Sequence, residues 1–157
     1  MQLSKNGLQM LKNFEGFRSK PYLCPAGIPT IGYGSTHYDN GIPVSLGDNS
    51  ITESNAATLL LRSLIKYEVA VVSETQFVGI NQNQFDALVL FAYNLGIGSL
   101  KGSTLIKKIR SNPSDPTIRD EFMKWVHIAG GKTLPGLVAR RKAEADLYFK
   151  EETNDRT

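Results

Sequence analysis

Phe14-Glu15-Gly16-Phe17-Arg18 leads, after two polar residues, into Pro21-Tyr22-Leu23-Cys24-Pro25-Ala26-Gly27-Ile28-Pro29-Thr30-Ile31-Gly32-Tyr33-Gly34. Upstream, Leu8, Leu11 and Phe14, with Met10 beside them, form a helical stripe behind Ser4, a good N-cap, and Gly16 stops the helix. Downstream, the stretch from Pro21 to about Gly47 is rich in Gly, Pro, Asn and Asp between short apolar runs. It reads as a small antiparallel sheet, with Asp39-Asn40-Gly41 as one turn and Ile28-Pro29 as an irregular edge. A helix end thus delivers one carboxyl, Glu15, to a loop that bears a thiol and a hydroxyl. Phe14 and Phe17 solvate a charged carboxylate poorly, which suits a general acid. Cleaving a glycosidic bond needs such an acid, and a second polar group to handle water or the developing positive charge.

The rest of the chain is helical in pattern. Thr52 is placed to cap a long helix reaching about Ser73, with Leu60, Leu64, Tyr67 and Val71 at near-helical spacing and Glu53 at its positive end. Residues 83–95 are apolar nearly all round, which marks a central helix. Shorter helices are expected over about 100–110, 117–126 and 137–150, punctuated by Pro113, Pro116, Gly130, Gly131 and Pro135. The expectation is an α+β domain over 1–150: a sheet lobe at about 15–50, helices at 1–14 and 51–150, the long helix as connector, and a frayed tail at 151–157.

The 157 residues and 41% hydrophobic content suit one domain or two small lobes sharing a core. The net charge is +3, and the tail after Lys150 contributes −2 of it, leaving 1–150 at +5. Such a mildly basic body favours an anionic polymer; peptidoglycan and nucleic acid both qualify. One cysteine forms no intrachain disulfide, and with two histidines, His37 and His127, lacking ligand spacing, no metal site is expected. The start of the chain reads as neither signal peptide nor membrane span, which implies accumulation in the cytoplasm. No phosphate loop, nucleotide fingerprint or Ser-His-Asp arrangement appears.

Glu15, Cys24 and Thr30, spaced nine and six apart and followed by Ile31-Gly32-Tyr33-Gly34, resemble the signature of the phage-type lysozymes, the endolysins of the T4 and P22 lysozyme family. The resemblance continues in Gln84-Phe85-Asp86-Ala87-Leu88, Phe91-Ala92-Tyr93-Asn94-Leu95-Gly96, Gly102-Ser103-Thr104-Leu105, Lys124-Trp125-Val126, Leu134-Pro135-Gly136-Leu137 and Arg140-Arg141-Lys142-Ala143-Glu144. It implies a lysozyme-like fold with a cleft between a hairpin lobe and a larger helical lobe. It further implies hydrolysis of the β-1,4 bond between N-acetylmuramic acid and N-acetylglucosamine in peptidoglycan, without a cofactor, by a monomer that binds neither nucleic acid nor membrane stably. Access to the wall would depend on a phage holin, and host lysis would follow.

The resemblance carries roles to particular residues. Glu15 becomes the acid, against the plain alternative of a surface helix carboxylate. Thr30 becomes the holder of the attacking water, on the sugar face opposite Glu15, which gives inversion. Cys24 stands where many relatives carry Asp; base, nucleophile, weak polar contact and inert buried thiol all remain open for it, and Asp39 is a fallback carboxylate. Tyr22 and Tyr33 read equally as sugar-stacking and as packing aromatics. Asn94, polar on an apolar helix, corresponds to a family position that faces substrate. Arg140 and Arg141, with Lys142, read equally as a solvated face near Glu144 and as a grip on the carboxylates of the wall. Trp125 reads as core. The rival functions are a non-catalytic peptidoglycan-binding module, a membrane-disrupting basic protein and a lytic transglycosylase.

Overall fold

The computed structural model describes residues 1–152; of the tail expected at 151–157, the part from 153 on lies outside the described residues. Among the described residues the elements are α1 (Lys5–Glu15), β1 (Arg18–Leu23), β2 (Pro29–Gly32), α2 (Glu53–Thr75), α3 (Gln82–Leu95), α4 (Ile97–Gly102), α5 (Thr104–Ser111), α6 (Ile118–Met123) and α7 (Pro135–Tyr148). The class is α+β, with one antiparallel hairpin and helices elsewhere. The chain forms two compact units: Leu8–Lys66, and Met1–Gly7 together with the chain from Tyr67 onward.

In the first unit, β1 and β2 pair antiparallel with Tyr22 opposite Thr30, Leu23 opposite Pro29 and Arg18 opposite Gly32, and a bulge lies between Arg18 and Tyr22. Gly16, at φ 68°, ends α1 by donating its N–H to the Lys12 carbonyl at 2.9 Å, so the chain turns into β1 directly after Glu15. The Asp39-Asn40-Gly41 turn forms as expected. Gly41 has φ 81°, and its N–H donates to the Tyr38 carbonyl at 2.9 Å. Thr52 caps α2 by accepting from the Asn55 N–H at 3.1 Å.

In the second unit, α3 is the core. Eight consecutive residues, Phe85 to Ala92, are buried, and α3 packs chiefly against α7 and α4. A capping box of Asn81 and Gln84 starts α3. The buried acid in this helix, Asp86, accepts from the Ser4 N–H at 3.0 Å, from the Ser4 hydroxyl and from Gln82 Nε2 at 2.7 Å. It thereby sits at the positive N-terminal end of α1, where a carboxylate is favoured. A β-carbon on Gly7 would lie 2.8 Å from this carboxyl group and 2.7 Å from Leu3 Cδ1, so a larger residue there would push one of these side chains aside.

The helix expected over about 100–110 is two helices. Ser103 ends α4, and its hydroxyl then accepts from the Ile106 N–H at 3.1 Å to start α5. The helix expected over 117–126 stops at Met123, which leaves Trp125 in the following turn, half-buried, edge-on to Phe91 with ring centroids 5.6 Å apart.

Candidate active site

Three of the residues singled out from the sequence lie together in the Leu8–Lys66 unit. Glu15 is the last residue of α1 and is half-buried. Cys24 opens the β1–β2 turn. Its N–H donates to the Ile28 carbonyl at 3.0 Å, and its own carbonyl accepts from the Gly27 N–H at 2.8 Å. Thr30, on β2, is 3% exposed, and its hydroxyl donates to the Ile28 carbonyl at 2.9 Å.

The Cys24 thiol is half-buried. Its pKa is held below the ordinary value, chiefly by the Ile28 N–H; desolvation pushes the other way, and the Ala26 N–H adds to the fall. Donors aimed at sulfur stabilise the thiolate. No cationic side chain is among these causes; backbone groups in a tight turn do the work, and these are invisible in a residue list.

Tyr22, directly across from Thr30, reports on the charge of the neighbourhood. Burial raises its phenol pKa, the Arg18 guanidinium stacked 4.3 Å from its ring centroid lowers it, and the negative charges of Glu15 and Cys24 raise it further. The carboxyl and the thiol therefore both lie within electrostatic reach of one side chain. The sequence flagged Tyr22 only as one of two stacking aromatics; its cross-strand pairing is what puts it at this point.

Tyr33 requires a correction as a substrate contact. It is 3% exposed, its ring lies 5.6 Å from that of Phe17 and 5.6 Å from the Lys12 ammonium, and its hydroxyl donates to Glu53 Oε1 at 2.7 Å. Packing, the other of its two readings, is what the structure holds. Asp39, the fallback carboxylate, pairs with Arg62.

The remaining three residues cluster in the other unit. Arg140 and Arg141 are 7% and 0% exposed, so they form neither a solvated face nor an open grip for wall carboxylates; only Lys142 of the basic triplet is exposed. Their partner is Glu144, itself fully buried. Arg141 Nη2 lies 2.9 Å from Glu144 Oε1, Arg141 Nε lies 2.9 Å from Oε2, and Arg140 Nε lies 3.4 Å from Oε1. Burial pushes the Glu144 carboxyl up to about 7 against the pull of both guanidiniums, and the same burial lowers the pKa of Arg141. Arg141 Nη2 also donates to Asn94 Oδ1 at 2.7 Å, and its guanidinium lies 5.3 Å from the Phe91 ring centroid. Asn94 is exposed. Because arginine only donates, the contact fixes which end of the Asn94 amide faces Arg141, and the amide N–H donors remain for other acceptors. Among the described residues no group of three or more His, Cys, Asp or Glu side chains could hold a metal ion.

The family model for phage lysozyme matches residues 12–144, a span that contains Glu15, Cys24, Thr30, Asn94, Arg140 and Arg141. The chain belongs to the phage lysozyme family. It is 39% identical over 153 residues to the endolysin of Acyrthosiphon pisum secondary endosymbiont phage 1, covering 94% of this chain and 98% of that one. Against the endolysin of Bacillus phage B103, 36% identical, it spans 57% of the relative's length. Among solved structures, the endolysin from Escherichia coli O157:H7 phage FAHEc1 superposes with a TM-score of 0.87 at 39% identity, covering 95% of this chain and 94% of that one. The muramidase domain of SpmX from Asticaccaulis excentricus gives 0.78 at 28% identity, covering 96% of this chain and 99% of that one.

Proposed function

We propose that this protein is an endolysin that hydrolyses peptidoglycan as an N-acetylmuramidase, cutting the β-1,4 bond between N-acetylmuramic acid and N-acetylglucosamine. The observation that carries this reading is the half-buried carboxyl of Glu15 at the end of α1, in the same unit as the Cys24 thiol and the Thr30 hydroxyl, at the family's spacing. Glu15 protonates the glycosidic oxygen as the bond to the anomeric carbon breaks. The Thr30 hydroxyl gives its hydrogen to the Ile28 carbonyl, so its lone pairs accept from a water and orient that water's oxygen toward the sugar. The water adds at the anomeric carbon, its proton passing to the Cys24 thiolate or to solvent, and inversion results. The exposed Asn94 amide offers N–H donors to an acceptor such as an acetamido carbonyl. The enzyme acts alone on the polymer, and a separate hole-forming phage protein gives it access to the wall. No helix among the described residues is long and apolar enough to cross a membrane.

Mass spectrometry of fragments from purified walls tests the reaction. Reducing ends that have taken up water are expected. Anhydro ends would mean a transglycosylase, and intact walls would mean a binding module or a membrane-active protein.

The thiol makes its own prediction. A lowered thiol pKa means that the thiolate accumulates as pH rises toward the ordinary value of 9.0 and is lost below that window. A limb of the wild-type pH–rate profile that follows thiol ionisation should therefore lie below the ordinary thiol range, whereas Cys24→Asp, ionised throughout, should stay active and lack that limb. Superimposable pH–rate profiles would remove the thiolate from the reaction; a dead Cys24→Asp would show that a carboxylate does not replace it.

A further inference from the structure

We infer that Tyr33 is a positioning residue that locks the proton donor Glu15 and the water-holding Thr30 into one rigid frame; the inference rests on the muramidase reading above. Tyr33 follows β2, three residues after Thr30, and is almost wholly enclosed. Its ring meets two residues that flank Glu15 in sequence. The Lys12 ammonium, about one helical turn before Glu15, lies 5.6 Å from the ring centroid, and Phe17, two residues after it, packs at 5.6 Å with the rings tilted by 46°. One aromatic ring thus meets a side chain from each side of Glu15 in sequence.

The other end of the same side chain is also fixed. The hydroxyl donates to Glu53 Oε1 at 2.7 Å, and Glu53 is the first residue of α2. Beside it, a β-carbon on Gly32 would lie 2.9 Å from the Ala56 side chain and 3.3 Å from Ile51, so the end of β2 is pressed directly against the start of α2. Tyr33 therefore joins three elements: the end of α1 with Glu15, the strand with Thr30, and the start of α2. The Glu53 hydrogen bond, with burial behind it, pushes the phenol up to about 12, so it remains a neutral donor at any pH at which a wall hydrolase works. A phenylalanine would fill the same space; the hydroxyl adds the tie to α2. Displacing a reacting group by about 1 Å costs on the order of 10²-fold in rate, so a strut at this junction acts on turnover more than on affinity.

The test compares Tyr33→Phe, Tyr33→Leu, Glu53→Ala and the Tyr33→Phe/Glu53→Ala double variant with wild type and Glu15→Gln. Thermal unfolding, kcat and KM on a soluble wall fragment are measured well below each melting temperature. Tyr33→Leu is expected to lose about 10²-fold in kcat with KM within about twofold, and Tyr33→Phe to restore kcat to within about tenfold of wild type. Tyr33→Phe and Glu53→Ala should each lower kcat about threefold or more, and the double variant no further than either, because both remove the same hydrogen bond, the first its donor and the second its acceptor. A folded Tyr33→Leu with wild-type kcat overturns the inference, as does a raised KM at unchanged kcat, which would make Tyr33 a sugar contact. Should Tyr33→Leu not fold, the double-variant cycle decides: multiplicative effects, or none, refute the strut. If Glu15→Gln keeps its activity, the muramidase reading fails; if Glu15→Gln is dead and the Tyr33 set behaves as wild type, only the strut fails.

Discussion

Glu15→Gln is expected to lower wall hydrolysis by about 10²–10⁴-fold, the scale on which a positioned general acid contributes. The substitution keeps the shape and removes only the acidic proton, so the loss should appear in kcat, with the melting temperature within a few degrees of wild type. The half-buried position at the end of α1 makes the swap nearly isosteric. Turnover within tenfold of wild type would mean that the leaving oxygen takes its proton from elsewhere. Asp39, the other carboxylate considered from the sequence, is already held by Arg62. Its replacement by Asn therefore makes a useful companion measurement.

The largest stability effect is expected at Arg141. Arg141→Ala leaves the Glu144 carboxyl in the interior with only Arg140 beside it, and breaking one side of a buried ion pair costs about 3–5 kcal/mol. For a chain of this size that is a drop of roughly 6–20 °C in melting temperature. The pH dependence has a definite sign. The folded pKa of Glu144, about 7, lies above its ordinary 4.5, so the native state binds the extra proton between those values. Stability from this group is complete below 4.5 and falls as pH rises toward 7. The penalty of Arg141→Ala should accordingly shrink in mild acid, where Glu144 is neutral. Thermal melts across that range check it: a penalty that does not change with pH would place the cost in lost packing against Phe91 and lost hydrogen bonding to Asn94. Replacing both partners, Arg141→Met with Glu144→Leu, should recover much of the loss.

These two positions mark where a sequence is readable and where it is not. Ser4 and Thr52 as caps, Gly16 as a stop and the apolar run through 83–95 as a central helix were legible, because local chemistry sets them. The break at Ser103 was not, because Leu105, Ile106 and Ile109 continue a helical pattern across a residue whose own hydroxyl restarts the helix. Arg140 and Arg141 looked like surface because three cations in a row usually are; their burial is decided by Glu144 one turn on and by Asn94, 47 residues away. Glu15, Cys24 and Thr30 were singled out by a helix end running into a hairpin and by their match to the phage-type lysozyme pattern. What acts on Cys24 was hidden, since backbone N–H groups carry no letter. The partner of the Tyr33 hydroxyl lies 20 residues off, on a helix whose register against the hairpin cannot be read from the chain.

The tie between Ser4 and Asp86 spans 82 residues and belongs to a unit assembled from both the beginning and the latter part of the chain. During synthesis, the opening segment therefore leaves the ribosome long before its carboxylate anchor exists, and it waits while the hairpin unit is made. A fragment cut at Lys66 would retain Asp86 in its apolar helix but lack the backbone and hydroxyl donors that satisfy it, so the C-terminal piece should need the first residues returned to it, as a peptide or by fusion, before it becomes a cooperative folding unit.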